Sequence, residues 1–136
     1  MAMRSVSSRM GVVALCGIAL LSSGCIRLTP DDIVGKWKSK DGAVLVFDSD
    51  GKVFATKLID GPVLHLDRFE SHDGVGTWKI SNDMTYREVE IDFSQIAEYK
   101  NGYGTQVHVS GYGSMMRLYW WVGEEGGDRY EFTREN

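Results

Sequence analysis

From Lys36 onward, apolar and polar residues change places at almost every second position. The runs Lys36–Lys40, Ala43–Ser49 and Lys52–Ile59 are separated by Asp41-Gly42 and Asp50-Gly51. Period-two alternation predicts strands with one buried face. Asp-Gly between such runs predicts tight hairpin turns, because glycine accepts the positive φ they need. Leu45 and Phe47 share one face of the second run. Asp60-Gly61-Pro62 breaks the third, and Val63–Asp73 loses the pattern, which predicts a loop or a distorted edge. Gly74–Ser81 resumes it, with Gly76, Trp78 and Ile80 on one side. Asn82-Asp83 then turns the chain into Thr85–Ser94, where Val89, Ile91 and Phe93 alternate with an outer face of Glu88, Glu90 and Asp92. Gln95–Gly104 reads as a longer connection with a brief helical turn at Gln95–Lys100. Thr105–Ser110, Ser114–Val122 and Asp128–Arg134 complete the set, divided by Gly111-Tyr112-Gly113 and Glu124-Glu125-Gly126-Gly127.

These runs predict an all-β fold of eight strands joined mostly by tight turns. Consecutive hairpins favour an antiparallel up-and-down barrel, whose closure removes exposed edges. A Greek-key sandwich would need longer crossovers than most of these connections provide. Helix is confined to one turn at Thr29-Pro30-Asp31-Asp32, where a Thr cap, Pro in the first position and early acids mark a helix start. An eight-stranded barrel has room for its own side chains or one small ligand. With Trp37, Phe47, Trp78, Phe93 and Trp120 facing inward, a mostly filled interior is expected.

The segment before this domain follows a different logic. Arg4 and Arg9 precede the apolar run Met10–Leu21, and no acid occurs before Asp31. The run falls well short of the ~20 residues a spanning helix needs. A charged start, a short apolar middle and a small-residue end describe an export signal. Its close, Ser22-Ser23-Gly24-Cys25, resembles a bacterial lipobox, with Leu21 one residue earlier than that pattern places it. The resemblance implies cleavage before Cys25 and acylation of Cys25. It divides the chain into a signal peptide (1–24), a lipidated cysteine with a short tether and helical turn (25–34), and a barrel domain (35–136). Acyl chains contribute about 0.8 kcal/mol per buried methylene, so several on one cysteine hold a protein at the bilayer. Cys16 leaves with the signal, so the folded domain would contain no free thiol and no disulfide.

Charge narrows the partners. The whole chain has a formal net charge of −4, and losing Arg4 and Arg9 makes the remainder more acidic. That disfavours nucleic acid, which calls for a basic face, and electrostatic adhesion to anionic lipid.

Gly35-Lys36-Trp37, after a helical turn and at the start of the first strand, resembles the Gly-x-Trp signature of lipocalin-like (calycin) barrels. The resemblance implies that Trp37 closes one barrel end beneath a basic residue of the last strand, Arg129 or Arg134. Gly76-Thr77-Trp78-Lys79 repeats the pattern and hints at two similar half-barrels. Gly35, Trp37, Gly76 and Trp78 are therefore expected as barrel-closing residues. The run Gly123–Phe132 resembles the closing hairpin of small actinobacterial lipoproteins.

Candidate chemistry is sparse. His65, Asp67, Glu70, His72 and Asp73 crowd one irregular stretch, but three or four converging donors are needed for zinc, and a solvated polar loop is expected. Glu124, Glu125 and Asp128 lack the ordered spacing of a calcium loop. No Gly-x-Ser-x-Gly elbow occurs. No metal, cofactor or catalytic residue is therefore expected. In Tyr112–Val122, the residues Tyr112, Met116, Leu118, Trp120 and Val122 form an apolar face, which turns Arg117, Tyr119 and Trp121 outward. Tyr99 and Tyr103 in the preceding connection are expected to join them. Trp, Tyr and Arg together compose a recognition patch.

The expectation is a monomeric, non-enzymatic lipoprotein, lipid-anchored to the cell membrane outside the cytoplasm. It would bind a protein, peptide or small apolar ligand through the barrel mouth or the Tyr119/Trp121 face. The alternative is an inhibitor or immunity-type lipoprotein that blocks a secreted enzyme with the Asp60–Asp73 segment.

Overall fold

The structure is a computed structural model that describes residues 27–81 and 87–136. The expected signal peptide, Cys25 and the Asn82-Asp83 turn lie outside the described residues. Eight strands close into one antiparallel barrel, each paired with the next in sequence and the last with the first. They are β1 (Gly35–Ser39), β2 (Val44–Phe47), β3 (Lys52–Ile59), β4 (Ser71–Ile80), β5 (Glu88–Ile96), β6 (Tyr103–Ser110), β7 (Arg117–Val122) and β8 (Asp128–Arg134). This up-and-down barrel is compatible with a lipocalin-like fold. Two short helices, α1 (Pro30–Ile33) and α2 (Asp60–Leu64), and a 3₁₀ turn at Gly113–Met115 complete the elements. Among the described residues, no helix is long and apolar enough to cross a membrane.

The Asp-Gly turns form as their sequence demands. Gly42 and Gly51 hold φ of 94° and 85°, and the Asp48 carboxylate accepts from the N–H groups of Asp50 (3.0 Å) and Lys52 (2.9 Å). Inward residues make one apolar cluster: Trp37, Leu45, Phe47, Val53, Trp78, Val89, Ile91, Phe93, Val107, Leu118, Trp120 and Phe132 are all buried in it. The barrel is filled by its own side chains.

A helix covers each end. At one end α1 presents Ile33 to the core. The Trp37 indole donates to Ile33 O (2.8 Å), and the Arg134 guanidinium lies 4.6 Å above the Trp37 ring. Arg134 also donates to the carbonyls of Val34 (2.6 Å) and Asp32, which ties the last strand to α1. Of the two arginines expected there, Arg134 takes the place. Gly35 has φ 135°, and a Cβ there would stand 2.8 Å from Arg134 Nη1. Trp78 packs edge-on against Phe47, centroids 5.5 Å apart, and donates to Asp48 O (3.0 Å). Gly76 sits at a bulge where β4 presses on β5, and a Cβ would approach Phe93 Cα to 2.7 Å.

The opposite end departs from the expectation for Val63–Asp73. Asp60–Leu64 coils into α2, every residue of which is buried, and β4 begins at Ser71. A segment with Gly and Pro in its first turn carries little helical propensity. It is helical here because Val63 and Leu64 plug the barrel mouth. Three smaller corrections follow from register. Gln95–Lys100 is not a helical turn: β5 runs to Ile96, and a tight turn through Ala97 (φ 50°) returns to a bridge between Ile96 and Tyr99. Glu88 lies on the outer side of β5 yet is buried, its carboxylate 3.8 Å from His108 Nδ1. β7 starts only at Arg117, so Tyr112 stands outside the barrel, 57% exposed, with the Arg87 guanidinium stacked 4.2 Å from its ring.

Candidate functional site

The β7–β8 hairpin is the most distinctive surface of the barrel. Its two strands pair over six positions, from Arg117↔Thr133 to Val122↔Asp128. Its neighbours are shorter partners. β1 pairs with β8 only from Trp37↔Arg134 to Ser39↔Phe132, and β6 pairs with β7 only from Ser110↔Arg117 to His108↔Tyr119. Among the described residues, the outer half of the hairpin is paired with itself alone. α2 supports it from inside, through a chain of hydrogen bonds: Trp120 Nε1 donates to Thr105 Oγ1 (3.0 Å), and Thr105 Oγ1 donates to Val63 O (3.3 Å).

Alternation along β7 buries Met116, Leu118 and Trp120 and turns Arg117, Tyr119 and Trp121 outward, all three half-buried. Tyr119 and Trp121 meet edge-on, centroids 5.2 Å apart. Arg129, opposite Trp121 in register, lays its guanidinium 4.1 Å from the Tyr119 centroid and 5.1 Å from that of Trp121. Cation–π contact with both rings holds this cation over the patch. His108, opposite Tyr119 on β6, adds its ring 5.2 Å from Tyr119 and 6.3 Å from Trp121. Arg117 shares the face, but it is turned back: it donates to Met116 O (2.9 Å) and lies 3.7 Å from Glu131.

Tyr103 is not part of this patch. It shares the parity of Thr105, Val107 and Val109, which face inward, and it packs against Tyr99 with centroids 4.9 Å apart. Val122 is only half-buried, because β7 has already left its neighbour by that point. His108 and Arg129 are the members that alternation alone misses. Extending the pairing back from the Gly123–Gly127 turn places Arg129 across from Trp121, and that count was the available signal.

The polar residues of the Asp60–Asp73 stretch do converge in part. Asp60, Glu70 and His72 bring one potential ligand atom each to within 4.8 Å of one another. They do not form a vacant metal cradle. The Asp60 carboxylate, fully enclosed, already accepts from Arg68 Nε (2.6 Å), Glu70 N (2.9 Å) and His72 Nε2 (3.1 Å). Burial by itself raises the pKa of Asp60, but these hydrogen bonds, Arg68 foremost, outweigh it and hold the carboxyl below its usual range. Arg68 also pairs with Glu98, whose pKa its hydrogen bond lowers. The cluster is a latch that fastens α2 to β4, with a guanidinium where a metal cation would sit. His65 and Asp67 lie outside it.

Two surface clefts flank the hairpin. One, of about 700 Å³, runs between β6 and β7 and is lined by His65, Asp92, Gly104, Gln106, Trp121 and Glu125, among others. The second, of about 620 Å³, lies on the β1 side, where Pro62, Phe69, Val122 and Tyr130 contribute apolar surface. Tyr130 accepts a hydrogen bond from Ile59 N (3.1 Å), and its pKa is pushed up to about 12 by burial first of all.

Comparison of the chain with protein-family models, curated proteins and solved structures finds no match.

Proposed function

We propose that this protein is a non-enzymatic lipoprotein of the cell envelope, anchored through Cys25, whose lipocalin-like barrel docks a protein or peptide on the outer face of its last hairpin. The observation that carries the docking reading is the Tyr119–Trp121–Arg129–His108 cluster. It is a partly exposed aromatic and guanidinium surface on a strand pair that extends past its neighbours. Aromatic rings and Arg are the side chains that dominate binding energy at interfaces. The filled interior argues for a partner held outside the barrel in preference to a small apolar ligand carried inside it. The polar groups nearest one another at the barrel mouth satisfy each other, which favours a structural role for them over a catalytic one.

The anchor reading gives the molecule a direction. Arg27–Thr29 enter the barrel at the α1 end, so a lipid on Cys25 turns that end towards the bilayer and the hairpin tip away from it. An inhibitory role would rest on Asp60–Asp73, of which Asp60–Leu64 is buried and the stretch from His65 to Asp73 remains for contact.

Site-specific photocrosslinking in intact cells tests the docking reading. A photoreactive phenylalanine at position 121 should give a discrete adduct, and one at Phe54, 43% exposed on β3, should give none. Equal crosslinking from both positions would remove the claim that the hairpin face is selective. Cys25→Ala should release the protein from membranes, and an unmodified Cys25 in the mature protein would end the anchor reading.

A further inference from the structure

The wall of the barrel opens where β6 and β7 part. Along an antiparallel strand, the N–H and C=O of one residue point to the same neighbour, and the next residue's point to the other. Val109 N donates to Arg87 O (2.9 Å), on the β5 side. The even positions of β6 therefore direct their backbone groups towards β7. His108 and Ser110 find partners there in Tyr119 and Arg117. Gln106 and Gly104 continue the same edge beyond the last pair, and Trp121 continues the facing edge of β7. Had pairing gone on, Gln106 would stand opposite Trp121. Instead the cleft between them cuts through the wall, since inward-facing Ile91, Thr105 and Trp120 line it together with outward-facing Gly104, Gln106 and Trp121. α2 and the Trp120–Thr105 bond close its floor. Among the described residues no ladder pair joins these two edges beyond His108↔Tyr119, and two facing unpaired strand edges are a template for a further strand.

The surroundings select what that strand would carry. The cleft is bordered by Glu90 and Asp92 from β5 and by Glu125 from the hairpin turn. Glu90 shares its charge with Lys79 (3.4 Å), whereas Asp92 and Glu125 enter no ion pair among the described residues. Trp121 borders the cleft as well, with the Arg129 guanidinium already 5.1 Å from its ring centroid. Open space lies beside Gly123, and the Asp92 carboxylate stands over Gly104, 3.0 Å from where a Cβ would lie. Arg27 and Arg134 both belong to the α1 end, and the seam opens at the other.

We propose that the β6–β7 seam is a strand-addition site for an extended, basic segment of another protein. This rests on the docking reading above and names the class of partner that reading leaves open. The segment's backbone pairs with Gly104 and Gln106 on one side or with Trp121 on the other, and its Lys or Arg side chains meet Asp92 and Glu125.

The test is amide hydrogen exchange, read by NMR, on the full-length protein in detergent. The probes are a short peptide of alternating lysine and valine, its glutamate–valine counterpart, and the basic peptide N-methylated at alternate residues. The basic peptide should slow exchange at Gly104, Gln106 or Trp121 about tenfold or more. The acidic peptide should bind about tenfold more weakly, and the N-methylated one should give no protection. Asp92→Lys with Glu125→Lys should reverse the preference between basic and acidic peptides, and Glu125→Lys alone should weaken it if the pair disturbs folding. Protection absent from these amides, or equal for all three peptides, overturns the proposal. So does protection that grows with protein concentration without any peptide, because a second copy then fills the seam. If the Tyr119 and Arg129 resonances shift while the seam amides stay unprotected, strand addition fails and docking on the outer face survives.

Discussion

Arg129 and Arg134 show how much a single step along a strand decides. They sit five residues apart on β8, on opposite faces. Arg134 closes the barrel over Trp37, and Arg129 crosses Tyr119 and Trp121 on the outside. The resemblance carried by Gly35-Lys36-Trp37 implied a basic residue from the last strand and left two candidates. Only the register Trp37↔Arg134 separates them. The same holds for Gly76, whose need is visible only where β5 touches it. Gly76→Ala should lower stability by about 1–3 kcal/mol, because the new methyl meets backbone atoms of Asp92 and Phe93 that cannot turn aside. Gly104→Ala should cost less, since its nearest obstacle is the Asp92 side chain at 3.0 Å. Urea unfolding of both variants checks this. Equal losses would contradict the account of the β4 bulge.

At the level of elements, the parts fixed by local chemistry were legible and the parts fixed by tertiary contact were not. Both Asp-Gly hairpins and the β5 alternation of Val89, Ile91 and Phe93 depend on neighbours in sequence, and they form where the pattern put them. α2 does not: five residues containing Gly61 and Pro62 fold as a helix because the barrel mouth takes up Val63 and Leu64. The parity of Tyr103 was hidden for a related reason. The chain reaches it through positive φ at Ala97 and Gly102, and no periodicity survives such a passage.

The α2 latch makes a prediction about acid. Asp60 has a folded pKa below its unfolded one, so its contribution is complete above the ordinary carboxylate range near pH 4 and is lost as pH falls through the folded value. Asp60→Asn should cost about 1–3 kcal/mol at pH 7 through its weakened bonds to Arg68 and His72, and should flatten the fall in stability on acidification. Denaturation midpoints for both proteins across pH 2–7 check this. An unchanged acid limb in the variant would show that Asp60 is not the group that fastens the helix.

For the molecule as a whole, the apolar cluster and the two end helices make a closed body, and its distinctive chemistry lies on the outside. One side of the barrel carries two clefts around a hairpin that outruns both its neighbours. The lipid-anchor reading points that hairpin away from the bilayer, where a partner can approach. A carrier and a docking module make opposite demands on the same fold, and the buried indoles of Trp37, Trp78 and Trp120 support the docking reading proposed above.

Native mass spectrometry of the purified protein mixed with a cell-envelope extract separates these roles most directly. The account predicts a protein or peptide adduct that Tyr119→Ala with Trp121→Ala abolishes while the melting temperature stays within a few degrees. A small apolar molecule retained equally by the parent and the double variant would place the ligand inside the barrel and contradict it.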